Sequence, residues 1–154
     1  MLQLVLPTFS VCNAAFSVGL MRAATARTAL HASGTRYSHI DSSLADLPTI
    51  RSYIARMQVK TDSAGALLED TLNALEQSRE DAVLRVLESK AAASESATEV
   101  LDLAMRVCGG AAFRKEVGIE RYFRDSRAAS VMAPTTDVLY DFIGKAVCGM
   151  ELFS

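Results

Sequence analysis

Apolar residues recur three and four places apart along nearly the whole of a 154-residue chain that contains only three prolines. That spacing lines one side of a helix turning every 3.6 residues, and no stretch shows the alternation that a half-buried strand needs. Alanine-rich stretches such as AAASESA and ARTALHA add strong helix formers. The chain is therefore restricted to helices, and the remaining question is how many and where they break.

The spacing predicts a first helix from about Pro7, a tolerated first-turn residue, to about Ala32, with Phe9, Cys12, Phe16, Leu20 and Ala23 on its inner stripe. Ser33-Gly34-Thr35 stops it. A second helix runs from Ser43 or Pro48 to Gln77 on Ile50, Ile54, Met57, Ala64, Leu68, Leu72 and Leu75, with Gly65 its weak point. Ser78 with Asp81 has the form of a capping box and opens a third helix. That helix uses Val83, Leu87, Ala91, Ala97, Leu101, Ala104 and Cys108 and ends at Gly109. A short fourth runs from Ile119 to about Ser130. Thr135 or Thr136 caps a fifth, with Val138, Leu139, Phe142, Ile143, Ala146 and Val147 inside.

Long amphipathic helices with short connections make an antiparallel up-and-down four-helix bundle, here with a short extra C-terminal helix. The expected class is all-α, one domain over residues 1–154. A chain of this length buries roughly 68–70 % of its unfolded surface, enough for a real core. Half its residues are hydrophobic and none is tryptophan.

A net charge of −2 offers no global attraction to nucleic acid. The charge is uneven, however. Residues 62–102 hold ten acids against three bases, which reads as a solvated helix face. Cys12, Cys108 and Cys148 are an odd number without metal spacing and read as small core residues in a reducing compartment. His31 and His39, assigned to the first connection, have no Cys or acid placed to complete a ligand set, so no metal site is expected.

Met1 to Met21 carries no charge. A signal peptide needs basic residues before its apolar run, and a membrane span tolerates Gln3, Pro7, Ser10, Asn13 and Ser17 poorly. With three arginines before the first acid, Asp41, an organellar transit peptide is the stronger rival to a buried first helix. The buried helix is preferred. It makes the cytoplasm the expected compartment and the mitochondrion the alternative.

The most specific stretch is Arg106 to Phe142, RVCGGAAFRKEVGIERYFRDSRAASVMAPTTDVLYDF. Gly109-Gly110 closes a helix with residues free to take positive φ and to let a ligand approach the backbone. Between Arg106 and Arg127, the bases Arg106, Arg114, Lys115, Arg121, Arg124 and Arg127 face only three acids. Bare amides beside such charge suit a phosphate.

The order GG-x-x-F-x-x-E-x-x-x-E-R-Y-x-R-D-x-R, followed by T-x-x-x-L, resembles the C-terminal signature of acyl-CoA dehydrogenases. Upstream the likeness continues as helical pattern back to about Leu2. It covers one domain of that family, without the N-terminal helical domain and the central β-domain that members carry. The resemblance implies one wall of the acyl-CoA and flavin sites, FAD lying between subunits, and a homo-oligomer, dimer or tetramer. It implies that Gly109 and Gly110 contact the diphosphate part of a neighbour's FAD. Arg106 stands where members have Gln, a sound exchange because guanidinium binds phosphate well. Thr135 matches the Thr of the family's Glu-Gly-Thr, also close to FAD, and Arg124-Asp125 matches an Arg-Asp step read as a structural ion pair. Arg36 stands for the Arg of Arg-x-x-Phe-Gly, although the Phe-Gly and a downstream Gln are absent from Arg36-Tyr37-Ser38-His39-Ile40 and Leu47-Pro48.

The departures bear on chemistry. The Glu that removes the α-proton of the acyl thioester in most members falls on Ala133, and the following Gly on Pro134. A smaller group places its base near Leu2. Neither side chain takes a proton, and general-base catalysis needs a titratable group within reach. Asp137, one turn on, is the remaining candidate, but its place at a helix start explains it equally. The expectation is thus an FAD-contacting and oligomerising domain, inactive alone and without FAD unless the complete protein surrounds it. Its self-association surfaces are expected around Phe9 and Phe16, and around Phe142 and Phe153. The alternative is a non-catalytic helical interaction module.

Overall fold

The computed structural model of the chain describes residues 2–37 and 41–151. Five helices carry the fold: α1 (Leu2–Gly34), α2 (Pro48–Glu76), α3 (Ala82–Cys108), α4 (Ile119–Val131) and α5 (Thr136–Val147). Between α1 and α2 a two-residue antiparallel ladder sets β1 (Arg36–Tyr37) against β2 (Ser42–Ser43), with Arg36 opposite Ser43. A 3-10 turn, Gly109–Phe113, links α3 to α4.

The helices form a bundle around α3. Lys90 of α3 lies beside Phe9 of α1, while Arg27, near the other end of α1, bonds to Val117 just past the end of α3. α1 and α3 therefore run the same way. Thr71, late in α2, donates to the Arg85 carbonyl at the start of α3, so α2 runs against both. α4 returns, since its last turn reaches Met132 beside Asn13. α5 packs Leu139, Phe142 and Ile143 on Leu87 and Ala91 of α3.

Small residues make this arrangement close. Ala93, Ala97 and Ala104 of α3, Ala14 and Ala24 of α1 and Ala64 of α2 all lie in one buried cluster with Val18, Met21, Met57, Val100 and Leu101. Burying a side chain such as Leu101 stabilises by about 1.5–3 kcal/mol. Gly65, the expected weak point of α2, is part of this economy: a Cβ there would meet the Arg22 Nη2 at 3.2 Å.

Several expectations need correction. The buried face of α1 is Ser10, Asn13, Ala14, Ser17, Val18, Met21, Ala24, Thr25, Thr28 and Ala32. Of the stripe assigned to the core, Leu20 is buried and Ala23 half-buried, but Cys12 is exposed, Phe9 is 37 % exposed and Phe16 is 51 % exposed. Small residues won the inner face because they let α1 approach α3 closely, and the bulky stripe was left outside. α1 also starts at Leu2, so Pro7 lies inside it, where its missing N–H costs only a bond to a near-terminal carbonyl.

The capping box at Ser78 does not form. Ser78 takes φ 51°, the Arg79 amide turns back to the Ala74 carbonyl, and α3 begins at Ala82 with no side-chain cap. The Asp81 carboxylate is instead held by Arg79 and Arg85, which also reach Asp70. Part of the acidic stretch is therefore an ion-pair network rather than a merely solvated face. Val83, assigned to the core, is 57 % exposed. Thr135 does precede α5, but its hydroxyl makes no cap bond. Of α5, Leu139 is buried, whereas Val138 and Val147 face outward. Only Cys108 of the three cysteines is buried. His31 belongs to the last turn of α1, and His39 lies outside the described residues. No described helix is long and apolar enough to cross a membrane.

Candidate functional site

The residues singled out in the sequence collect at opposite ends of α3. At its C-terminal end, α3 runs straight into the glycine doublet. Gly109 has φ 55° and ψ −139°, a backbone few side-chained residues adopt, and it turns the chain into the 3-10 turn. Gly110 has no positive φ, so only one of the two glycines needs its freedom for the turn. Both are exposed, and a Cβ built on either would meet nothing within 4 Å. Among the described residues neither backbone conformation nor packing calls for glycine at 110.

Arg106, in the last turn of α3, is exposed and lines a surface cleft of about 190 Å³ with Arg56, Glu99, Asp102 and Leu103. The acid one turn before it, Asp102, takes the Arg127 guanidinium at 2.6 Å. Among the described residues no ion pair is formed by Arg106 itself. The Gly109 amide is taken by the Met105 carbonyl, so what faces an anion here is the Arg106 guanidinium beside an exposed glycine turn.

The rest of the basic run is largely engaged. Arg124 pairs with Glu120 at 3.4 Å and with Asp125 at 3.8 Å, and Arg121 reaches Asp125 at 3.5 Å. The Arg127 guanidinium also stacks 4.3 Å from the Phe123 ring centre. Gly118, at φ 71°, lets the Arg27 guanidinium bond to the Val117 carbonyl, and a Cβ there would lie 2.7 Å from it. Arg36 sits in β1 at the C-terminal end of α1, on the same end of the bundle as the glycine turn. It is exposed, bonds to Asp41 at 3.4 Å, and no described contact joins it to Gly109 or Gly110.

The other end holds the connection from α4 to α5, Met132-Ala133-Pro134-Thr135. Ala133 is exposed and Asp137 is an exposed residue in the first turn of α5. Lys90, about two turns into α3, is fully buried and sends its ammonium to the Met132 carbonyl at 2.8 Å and to the Pro134 carbonyl. The Phe9 ring centre is 5.5 Å from the Lys90 Nζ, and burial pushes the Lys90 pKa down. Beside it an apolar groove of about 400 Å³ opens between α1 and α4, its walls formed by Phe9, Phe16, Ala128 and Met132.

From Lys90 to Gly109 the helix rises roughly 28 Å at 1.5 Å per residue. Thr135, next to a carbonyl that Lys90 holds, therefore does not share a pocket with Arg106 and Gly109. The chain brings Arg106, Gly109 and Gly110 together, puts Arg36 at the same end, and sets Thr135 and Ala133 apart at the other. Sequence reading missed Lys90. Its signal was a lone base on the apolar stripe of α3, three residues after Leu87 and seven before Ala97.

The chain matches the family model described as acyl-CoA dehydrogenase, C-terminal domain, over residues 6–148. It is 31 % identical over 145 residues to the very long-chain specific mitochondrial acyl-CoA dehydrogenase of Rattus norvegicus, covering 90 % of this chain and 21 % of that protein. The chain thus spans about a fifth of the length of that curated relative. Among solved structures, a glutaryl-coenzyme A dehydrogenase complexed with glutaryl-CoA superposes with a TM-score of 0.88 at 22 % identity, over 96 % of this chain and 37 % of that one. PigA, solved with FAD and proline, gives 0.86 at 20 % identity, over 93 % and 37 %.

Proposed function

Because the chain belongs to the acyl-CoA dehydrogenase family, as the C-terminal domain of that family, we propose that it is the FAD-contacting and oligomer-forming part of an acyl-CoA dehydrogenase-like flavin oxidoreductase. One observation carries the reading. Among the described residues Arg106 has no ion-pair partner, and none explains the second glycine of the doublet beside it. A diphosphate accounts for both, because it needs a cation and a close backbone approach. Arg106, Gly109 and Gly110 would hold the diphosphate of FAD, with Arg36 contributing from the same end and Thr135 serving a second cofactor position. When bound, FAD supplies the two-electron acceptor. The separation of Thr135 from the glycine turn supports sites shared between copies, each copy lending opposite ends to different cofactors.

The chain itself brings no base to position 133, and in this reading Ala133 leaves thioester proton abstraction to another group or to a different reaction. That same feature favours the second reading, a non-catalytic helical interaction module. The test is the flavin absorbance of the purified chain beside that of the complete protein. No retained flavin in the chain and stoichiometric flavin in the complete protein fit the proposal. Flavin retained by the chain alone would show a self-sufficient site, and a flavin-free complete protein would leave the interaction module.

A further inference from the structure

We infer that Lys90 is a positioning residue for the Met132–Thr135 connection, holding it on both sides of Ala133 and thereby setting where Thr135 stands. A buried ammonium is costly unless its protons are taken by acceptors. The neighbouring carbonyls of α3 are committed to the helix, and among the described residues no carboxylate pairs with Lys90. The two acceptors that it does find belong to one segment, the carbonyls of Met132 and Pro134.

That segment has little else to hold it. The Met132 amide closes α4 on the Ala128 carbonyl, and the Thr135 carbonyl accepts the first bond of α5 from Leu139. Between these points Pro134 has no N–H to give, and no other described backbone bond crosses out of the segment. The Thr136 hydroxyl adds one long contact, 3.4 Å, to the Ser130 carbonyl. The Phe9 ring over the ammonium and the Asn13 amide against the Met132 sulfur tie the same segment to α1. One buried charge thus joins α1, α3 and the connection at the residue before Thr135.

The test is Lys90→Met in the full chain, which keeps length and apolar volume but removes the donors, followed by amide hydrogen exchange. Loss of two bonds to a charged donor should speed exchange at the two hydrogen-bonded amides that flank the segment, Met132 and Leu139, by about tenfold or more, with the amides in the middle of α2 unchanged. Uniform acceleration through all helices, or no change, would overturn the inference. If Lys90→Met does not fold, the wild-type chain decides it by NMR: slowly exchanging Lys90 ammonium protons coupled through hydrogen bonds to the carbonyl carbons of 132 and 134 are expected, and freely exchanging ones refute it. The consequence for Thr135 rests on the flavin reading and has its own readout. In the complete protein Lys90→Met should weaken FAD and add nothing to the effect of Thr135→Val, whereas additive losses would refute action through Thr135. Should Thr135→Val alone leave FAD affinity untouched, the flavin role of Thr135 fails while the exchange result still decides the clamp.

Discussion

Arg127 reaches from α4 to Asp102 of α3 at 2.6 Å, and this pairing takes from Arg106 the acid one helical turn before it. A solvated arginine four residues after an aspartate would ordinarily share its charge along the helix. Here the cross-helix pair fixes α4 and leaves the Arg106 charge facing outward beside the glycine turn. In the complete protein, Arg106→Ala should therefore weaken FAD retention by about ten- to hundredfold, the worth of one charge-assisted contact. Its melting temperature should stay within a degree or so of the wild type. Unchanged flavin affinity, measured by equilibrium titration of the apoprotein, would return Arg106 to the role of a surface charge.

The two glycines separate fold from ligand. Gly109→Ala forces a side-chained residue into φ 55°, ψ −139°, at a cost of about 1–3 kcal/mol. It should lower Tm by several degrees in the isolated chain, where no ligand is involved. Gly110→Ala meets neither a positive φ nor a neighbour within 4 Å, so Tm should hardly move. Gly110→Val should nevertheless reduce FAD affinity in the complete protein, because its bulk occupies the space a ligand would use. Equal destabilisation by both alanine variants in thermal melts would show that the doublet is a helix terminator only.

How far the sequence could be read follows from the range of the interactions. α2 and α3 were legible because Met57, Ala64, Leu87, Ala97 and Leu101 repeat at local spacing that burial then respects. The inner face of α1 was not, since weight given to Phe9 and Phe16 hides the small residues that set helix separation. Ser78 and Asp81 matched a local capping pattern, yet Arg79 and Arg85 offered Asp81 stronger partners than a backbone amide. At the site, Gly109 and Arg106 were legible as neighbours in sequence. Lys90 was not, because its acceptors lie 42 and 44 residues further on.

The network at the α2–α3 corner gives a pH signature. The Asp81 carboxylate is held below its ordinary range by hydrogen bonds from Arg79 first and Arg85 second. A carboxylate with a depressed folded-state pKa stabilises above its unfolded value of 3.8, and that stabilisation is lost as pH falls through the folded value. Asp81→Asn should therefore lower Tm at pH 7, and the gap from wild type should close as the melts are taken to pH values below 3.8. A gap that stays constant into acid would mean that Asp81 acts through packing rather than charge.

The outer stripe of α1 carries the last expectation. Phe142, first assigned to a self-association surface, packs instead against Leu87 and Ala91, and Phe153 lies outside the described residues. Phe9 and Phe16 remain, exposed and bordering the groove with Met132, and Val5 on the same helix is exposed as well. Apolar faces of this kind on a monomer favour contact with another apolar surface in water. The chain should self-associate with rising concentration, seen as a growing mass in light scattering. Phe16→Asp puts a charge on that face while touching none of the buried cluster, so it should shift the mass toward the monomer without lowering Tm. Strictly monomeric behaviour of the wild type at high concentration would remove α1 as an oligomer surface. A mass unaffected by Phe16→Asp would move the contact to another face, with the exposed Val138, Tyr140 and Val147 of α5 the next to substitute.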